Sequence, residues 1–101
     1  MTRARIDIPM EKIADFCRKW KVKEFSLFGS VLRGDFRPDS NVDVLVELEP
    51  GHGWELYEWV DMIEELKAIF GRQVDLVEKA GLRNPFRRHS ILTAREVLFA
   101  A

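Results

Sequence analysis

Apolar residues recur along the chain with two periods in turn. Ile13, Phe16, Cys17 and Trp20 keep the i, i+3, i+4, i+7 spacing of one helix face and predict a helix over residues 9–20. Pro9 suits the first turn of that helix, where no N–H is needed. Val22, Phe25 and Leu27 mark a strand over 21–28 that Gly29 closes. A helical turn at 31–33 and a loop holding Gly34, Pro38 and Ser40 are expected next. Val42, Val44, Val46 and Leu48 alternate strictly, the mark of a second strand, which Pro50, Gly51 and Gly53 end.

Residues 54–70 read as the strongest helix. Leu56, Trp59, Val60, Ile63, Leu66 and Phe70 form its expected core stripe, and Glu55, Glu58, Asp61, Glu64 and Glu65 face away. Trp54, Tyr57, Met62 and Ile69 fall outside that stripe. Such a second apolar strip suits a partner surface, a contact in a homo-oligomer, or packing under a loop. Gly71 is placed as the helix stop. A short strand over 73–77, a basic helix over 84–93 and an edge strand over 96–99 complete the chain. Helices alternating with strands predict an α/β fold, a small mixed sheet packed with helices.

Composition narrows the class. At 101 residues the chain is expected to form a single domain spanning 1–101, with no room for a separate substrate domain. An enzyme of this size must borrow surface from its substrate or from a partner. The formal net charge is -1, so a chain-wide basic footprint is absent and direct nucleic-acid binding is not expected. The charge is unevenly spread: residues 40–66 hold eight acidic side chains and no Lys or Arg, between two segments that are net basic. The lone Cys17 rules out an internal disulfide framework and reads as a core residue. No apolar run approaches the ~18 residues of a membrane span, and the first ten residues carry no apolar signal region. No membrane partner is expected, and the cytoplasm is the default compartment.

Three short pieces carry chemistry. Phe28-Gly29-Ser30 is a strand running into Gly-Ser and a helical turn, a junction that offers backbone N–H groups and a hydroxyl to an anion. In Ser40-Asn41-Val42-Asp43 the alternation puts Asn41 and Asp43 on one face and the valines on the other. In Val74-Asp75-Leu76, Asp75 projects opposite the two apolar residues. If the second and third strands are neighbours in register, Asp75 meets Asp43. Paired carboxylates beside a phosphate cradle suit magnesium and phosphoryl chemistry. The alternatives fail on their motifs: no G-x-x-x-x-G-K-[ST] and no G-x-G-x-x-G occurs, and His52 and His89 are too isolated for zinc.

The segment FSLFGSVLRGDFRPDSNVDVLVEL resembles the signature of the minimal nucleotidyltransferases (MNT) of the polymerase-beta-like nucleotidyltransferase superfamily. Gly29, Ser30, Arg33, Gly34, Ser40, Asp43 and Asp75 match that pattern in identity and order, and the likeness extends over about residues 10–99. The resemblance implies the nucleotidyltransferase fold. It implies ATP as substrate and two Mg2+ ions, with Gly29, Ser30, Arg33 and Ser40 toward the nucleotide. Asp43 would bind metal, and Asp75 would bind metal or activate the acceptor hydroxyl. Arg33 can equally meet a partner or fix its own loop.

The pattern breaks at Asn41, where the family has its first Asp. An amide oxygen can still face a metal, but it brings no negative charge. The chain also resembles the free-standing MNT antitoxins of HEPN–MNT toxin–antitoxin pairs, which transfer AMP from ATP to a tyrosine of the HEPN toxin. That implies a magnesium-dependent adenylyltransferase with a HEPN partner. Asn41 keeps a second expectation open: a catalytically impaired antitoxin or binding protein that neutralises its partner by complex formation. Arg83, Arg87, Arg88 and His89 on the basic helix could contact partner or nucleotide.

Overall fold

The computed structural model of the chain describes residues 6–34, 36–37 and 39–101; Pro38, read as part of the loop, lies outside them. Helix α1 (Met10–Lys19) leads into strand β1 (Val22–Phe28) and a 3-10 turn (Gly29–Leu32). Strand β2 (Val42–Leu48), helix α2 (Leu56–Phe70) and strand β3 (Val74–Glu78) follow. A second 3-10 turn (Lys79–Gly81), helix α3 (Pro85–Ala94) and strand β4 (Glu96–Ala100) end the chain. The sheet order is β3-β2-β1-β4, antiparallel except for the parallel pair β2 and β3. It is the small mixed sheet with helices that the alternating periods predict.

The spacing from Val22 to Phe25 is three residues, one too many for plain alternation. A bulge between Val22 and Glu24 absorbs the extra residue, so Val22, Phe25 and Leu27 all enter one core. On this face α1 contributes Ile13, Phe16 and Cys17, and β2 contributes Val42, Val44 and Val46. Cys17 is buried as expected, and burial pushes its thiol up to about 12.

Helix α2 corrects the expected stripe. Its buried residues are Met62 and Leu66, with Trp59, Ile69 and Phe70 packed beside them, whereas Leu56 is 72% and Val60 48% exposed. The apolar arc of this helix is wider than the strip a narrow sheet can cover, and docking beside β3 onto the shared core selected one side of it. The ends of α2 follow local rules. Glu55 and Glu58 form a reciprocal capping box, and Gly71 closes the helix at φ 70°.

The other face of the sheet is also covered. Phe28, Leu45, Leu82 and Ile91 form a second apolar cluster that seats α3. Asn84 caps that helix by accepting the backbone N–H groups of Phe86 and Arg87. Leu45 lies on the same strand face as Asn41 and Asp43, so the polar face read from the sequence turns apolar after one alternation. Among the described residues, no helix is long and apolar enough to cross a membrane.

Candidate active site

The candidate residues meet where β1 ends and where β2 and β3 begin. The parallel register pairs Val42 with Val74 and Asp43 with Asp75, and the Val42 N–H donates to the Gln73 carbonyl at 2.9 Å. Neighbouring strands lie ~4.8 Å apart, so the two carboxylates face one another side by side. Antiparallel pairing sets Phe28 opposite Asp43, which delivers Gly29 to the same corner. Asn41, two residues before Asp43, donates its Nδ2–H to Asp75 Oδ2 at 3.2 Å. All three residues of the expected cluster therefore converge.

Gly29 is required by the approach of its neighbours. Its φ is +77°, and a Cβ built there would run into the Asp43 carboxylate, with Cγ only 3.1 Å away. The next residue, Ser30, sits partly exposed in the 3-10 turn, and its carbonyl accepts the Arg33 N–H at 2.9 Å. Ser40 acts within its own loop. Its Oγ accepts the Arg37 N–H at 3.0 Å and closes the turn before β2. The same loop is held from outside by Arg72, whose guanidinium lies 4.8 Å from the Phe36 ring centre and donates to the Arg37 carbonyl.

The electrostatics are those of a crowded pair of acids. Burial pushes the Asp43 carboxyl up, to about 6. The Asp75 charge, and a hydrogen bond between the two side chains, push the same way. Arg33 and Arg87 pull it down without prevailing. A divalent cation suits this donor set: it would relieve the repulsion between two hard oxygen ligands. Asn41 can add only a neutral carbonyl oxygen, so the residues present fit one cation better than two. Among the described residues, no group of three or more His, Cys, Asp or Glu side chains could share an ion.

A cleft of about 290 Å³ opens beside Asp43, lined by Gly29 and Arg33 after β1 and by Arg87, Ser90 and Ile91 of α3. The sequence presents four basic-helix residues as equals. The structure sorts them, because only Arg87 among the four lines this cleft. Arg88 points elsewhere and donates to the Lys79 carbonyl at 3.2 Å. Ser90 is a lining residue that sequence reasoning misses. Its signal is helical spacing, since positions 87, 90, 91 and 94 form one face of α3 once Ile91 is known to be buried.

Comparison with known proteins extends these observations. Residues 10–98 match the profile of the nucleotidyltransferase domain family. The protein adenylyltransferase MntA of Thermococcus cleftensis is 35% identical over 81 residues, which cover 80% of this chain and 77% of that protein. In three dimensions the chain resembles a toxin–antitoxin structure crystallised with AMP-PNP, at a TM-score of 0.74 and 20% identity, over 93% of this chain and 75% of the other. A structure of the tri-AMPylated Shewanella oneidensis HEPN toxin in complex with its MNT antitoxin gives a TM-score of 0.66 at 19% identity. That match covers 91% of this chain and 70% of the other.

Proposed function

The chain belongs to the nucleotidyltransferase domain family, and from that premise we propose that it transfers AMP from ATP to a hydroxyl of a partner protein, a tyrosine of a HEPN-type toxin. The observation that carries this reading is the in-register pair Asp43 and Asp75 beside Gly29. The choice of partner is supported by the likeness to MntA and to toxin–antitoxin complexes.

In this reading the oxygen of the acceptor hydroxyl attacks the α-phosphorus, the bond to the β-phosphate breaks, and pyrophosphate leaves. Asp43 and Asp75 would hold a divalent cation, and Asn41 could add a neutral carbonyl oxygen. When bound, that ion supplies charge neutralisation at the phosphates. Gly29 and Ser30 offer N–H and hydroxyl groups to the β- and γ-phosphates, and Arg33 adds positive charge. The amide of Asn41 donates to Asp75 Oδ2 and so holds that carboxylate in place beside Asp43, as a ligand role requires. The hydroxyl proton passes to solvent. Catalysis here is placement and electrostatics, with no covalent intermediate on the protein.

Asn41 supports a second reading, in which turnover is weak and the partner is neutralised by complex formation. The residue fills the third corner of the cluster with a neutral donor already bonded to Asp75. One experiment separates the two. The protein is incubated with α-labelled ATP, magnesium and the helical protein encoded beside it. Label on the partner that disappears in Asp43→Asn and Asp75→Asn supports transfer. A stable complex without label supports neutralisation by binding. Labelling that survives loss of both carboxylates overturns the site.

A further inference from the structure

We propose that Arg87 on α3 forms, with Arg33, a two-arginine clamp on the triphosphate tail, so that the site selects nucleoside triphosphates by their phosphates and holds the base loosely. This rests on the nucleotide-transfer reading of the same site. Arg87 and Arg33 both line the cleft and come from different elements, one on a helix and one just past the 3-10 turn. Both are close enough for their charge to act on Asp43. Phosphate oxygens entering the cleft would meet both guanidinium groups and Gly29, the donor set that charge-assisted phosphate recognition needs.

The placement of Arg87 is fixed by packing. Ile91, one helical turn further on, is 7% exposed and sits against Phe28 and Leu45 on the sheet. That contact turns positions 87, 90 and 94 toward the cleft and sends Arg88 away to Lys79. The Asn84 side chain already satisfies the first N–H groups of α3. The side chains of Arg87 and Ser90 are therefore what this helix offers an anion, rather than its end. The cleft, at about 290 Å³, lies at the small end of the ~300–1,000 Å³ range of pockets that enclose whole ligands. Its volume suits a phosphate tail better than a whole nucleotide.

The test compares magnesium complexes of ATP, AMP and inorganic tripolyphosphate by titration calorimetry, on the wild-type chain and on Arg87→Gln, Arg87→Lys and Arg83→Gln. Arg87 is exposed, so its replacement leaves the fold intact, which a thermal melt verifies. Arg83→Gln removes the same charge from a neighbouring exposed position. We expect ATP and tripolyphosphate to bind alike, and AMP much more weakly. Arg87→Gln should lose roughly tenfold or more for both polyphosphates, as expected for a lost charged hydrogen bond. Arg87→Lys should recover part of that loss, and Arg83→Gln should match the wild type. Equal polyphosphate affinity in Arg87→Gln and wild type, or an equal loss in Arg83→Gln, overturns the clamp while leaving the nucleotide site standing. A wild-type chain that binds neither ATP nor tripolyphosphate overturns the site reading, and the clamp with it.

Discussion

Replacing Asn41 by Asp should change the metal-free and metal-bound proteins in opposite directions. In the structure the Asn41 amide donates to Asp75 Oδ2 at 3.2 Å, and Asp75 faces Asp43 in register. The substitution exchanges that hydrogen bond for a third negative charge. Two unit charges ~4 Å apart are worth about 1 kcal/mol in water and about 4 kcal/mol at an effective dielectric of ~20. Asn41 and Asp75 are both exposed, which places the repulsion toward the lower figure. Adding a lost hydrogen bond of about 1 kcal/mol gives roughly 2 kcal/mol of destabilisation without metal. For a domain of this size that is a fall in melting temperature of about 10 °C. With magnesium the sign reverses, because the new carboxylate attracts a divalent ion about twice as strongly as it repels one neighbour. A gain of about 2 kcal/mol in binding is roughly 30-fold in affinity. The assay is a thermal melt at pH 8 over a magnesium series, with labelled-ATP transfer measured in parallel. The reasoning fails if Asn41→Asp melts like the wild type without metal, or if magnesium raises both melting temperatures equally.

Further outcomes follow from the same geometry. Gly29→Ala forces a Cβ toward Asp43 at a φ of +77°, and should cost at least 1–2 kcal/mol in urea unfolding and weaken magnesium binding. The Asp43 carboxyl stands at about 6, above its ordinary 3.8, so the folded chain holds that proton longer than the unfolded one. Metal-free stability should then be greatest below about pH 4, fall as the pH rises to about 6 and level off above, by about 1–2 kcal/mol after solvent screening. Asp43→Asn should flatten that slope, and magnesium affinity in the wild type should rise through the same window. Cys17, buried with its thiol pushed up to about 12, should resist Ellman's reagent at pH 8 in the native chain and react once urea unfolds it.

Much of this architecture is legible in the sequence because its signals are local. Strict alternation in β2 announces a strand whatever surrounds it, and Gly71 announces a helix end by the φ it can adopt. The pairing of Asp43 with Asp75 is legible only conditionally, since it needs β3 to lie beside β2 in one register of several. Periodicity misplaces the core side of α2 for the same reason. Met62 and Val60 lie toward opposite ends of one broad apolar arc, and spacing alone does not say which end meets the core. Arg87 cannot be separated from Arg88 without knowing that Ile91 faces inward.

The sequence by itself determined the element types, the caps, the Gly-Ser junction, the carboxylates and the substitution at Asn41. Each of these is a property of one residue or of a few neighbours along the backbone. Only the tertiary structure decided which strand lies beside which, which helix face is dry, and which of four basic residues turns toward Asp43. Those outcomes depend on packing between segments well separated along the chain, as β2 is from β3. The Asn41 bond to Asp75, between residues 34 positions apart, exists only once the parallel pair has formed. The chemistry of the corner is written in local words, and its assembly comes from the burial that sets the register of β2 against β3.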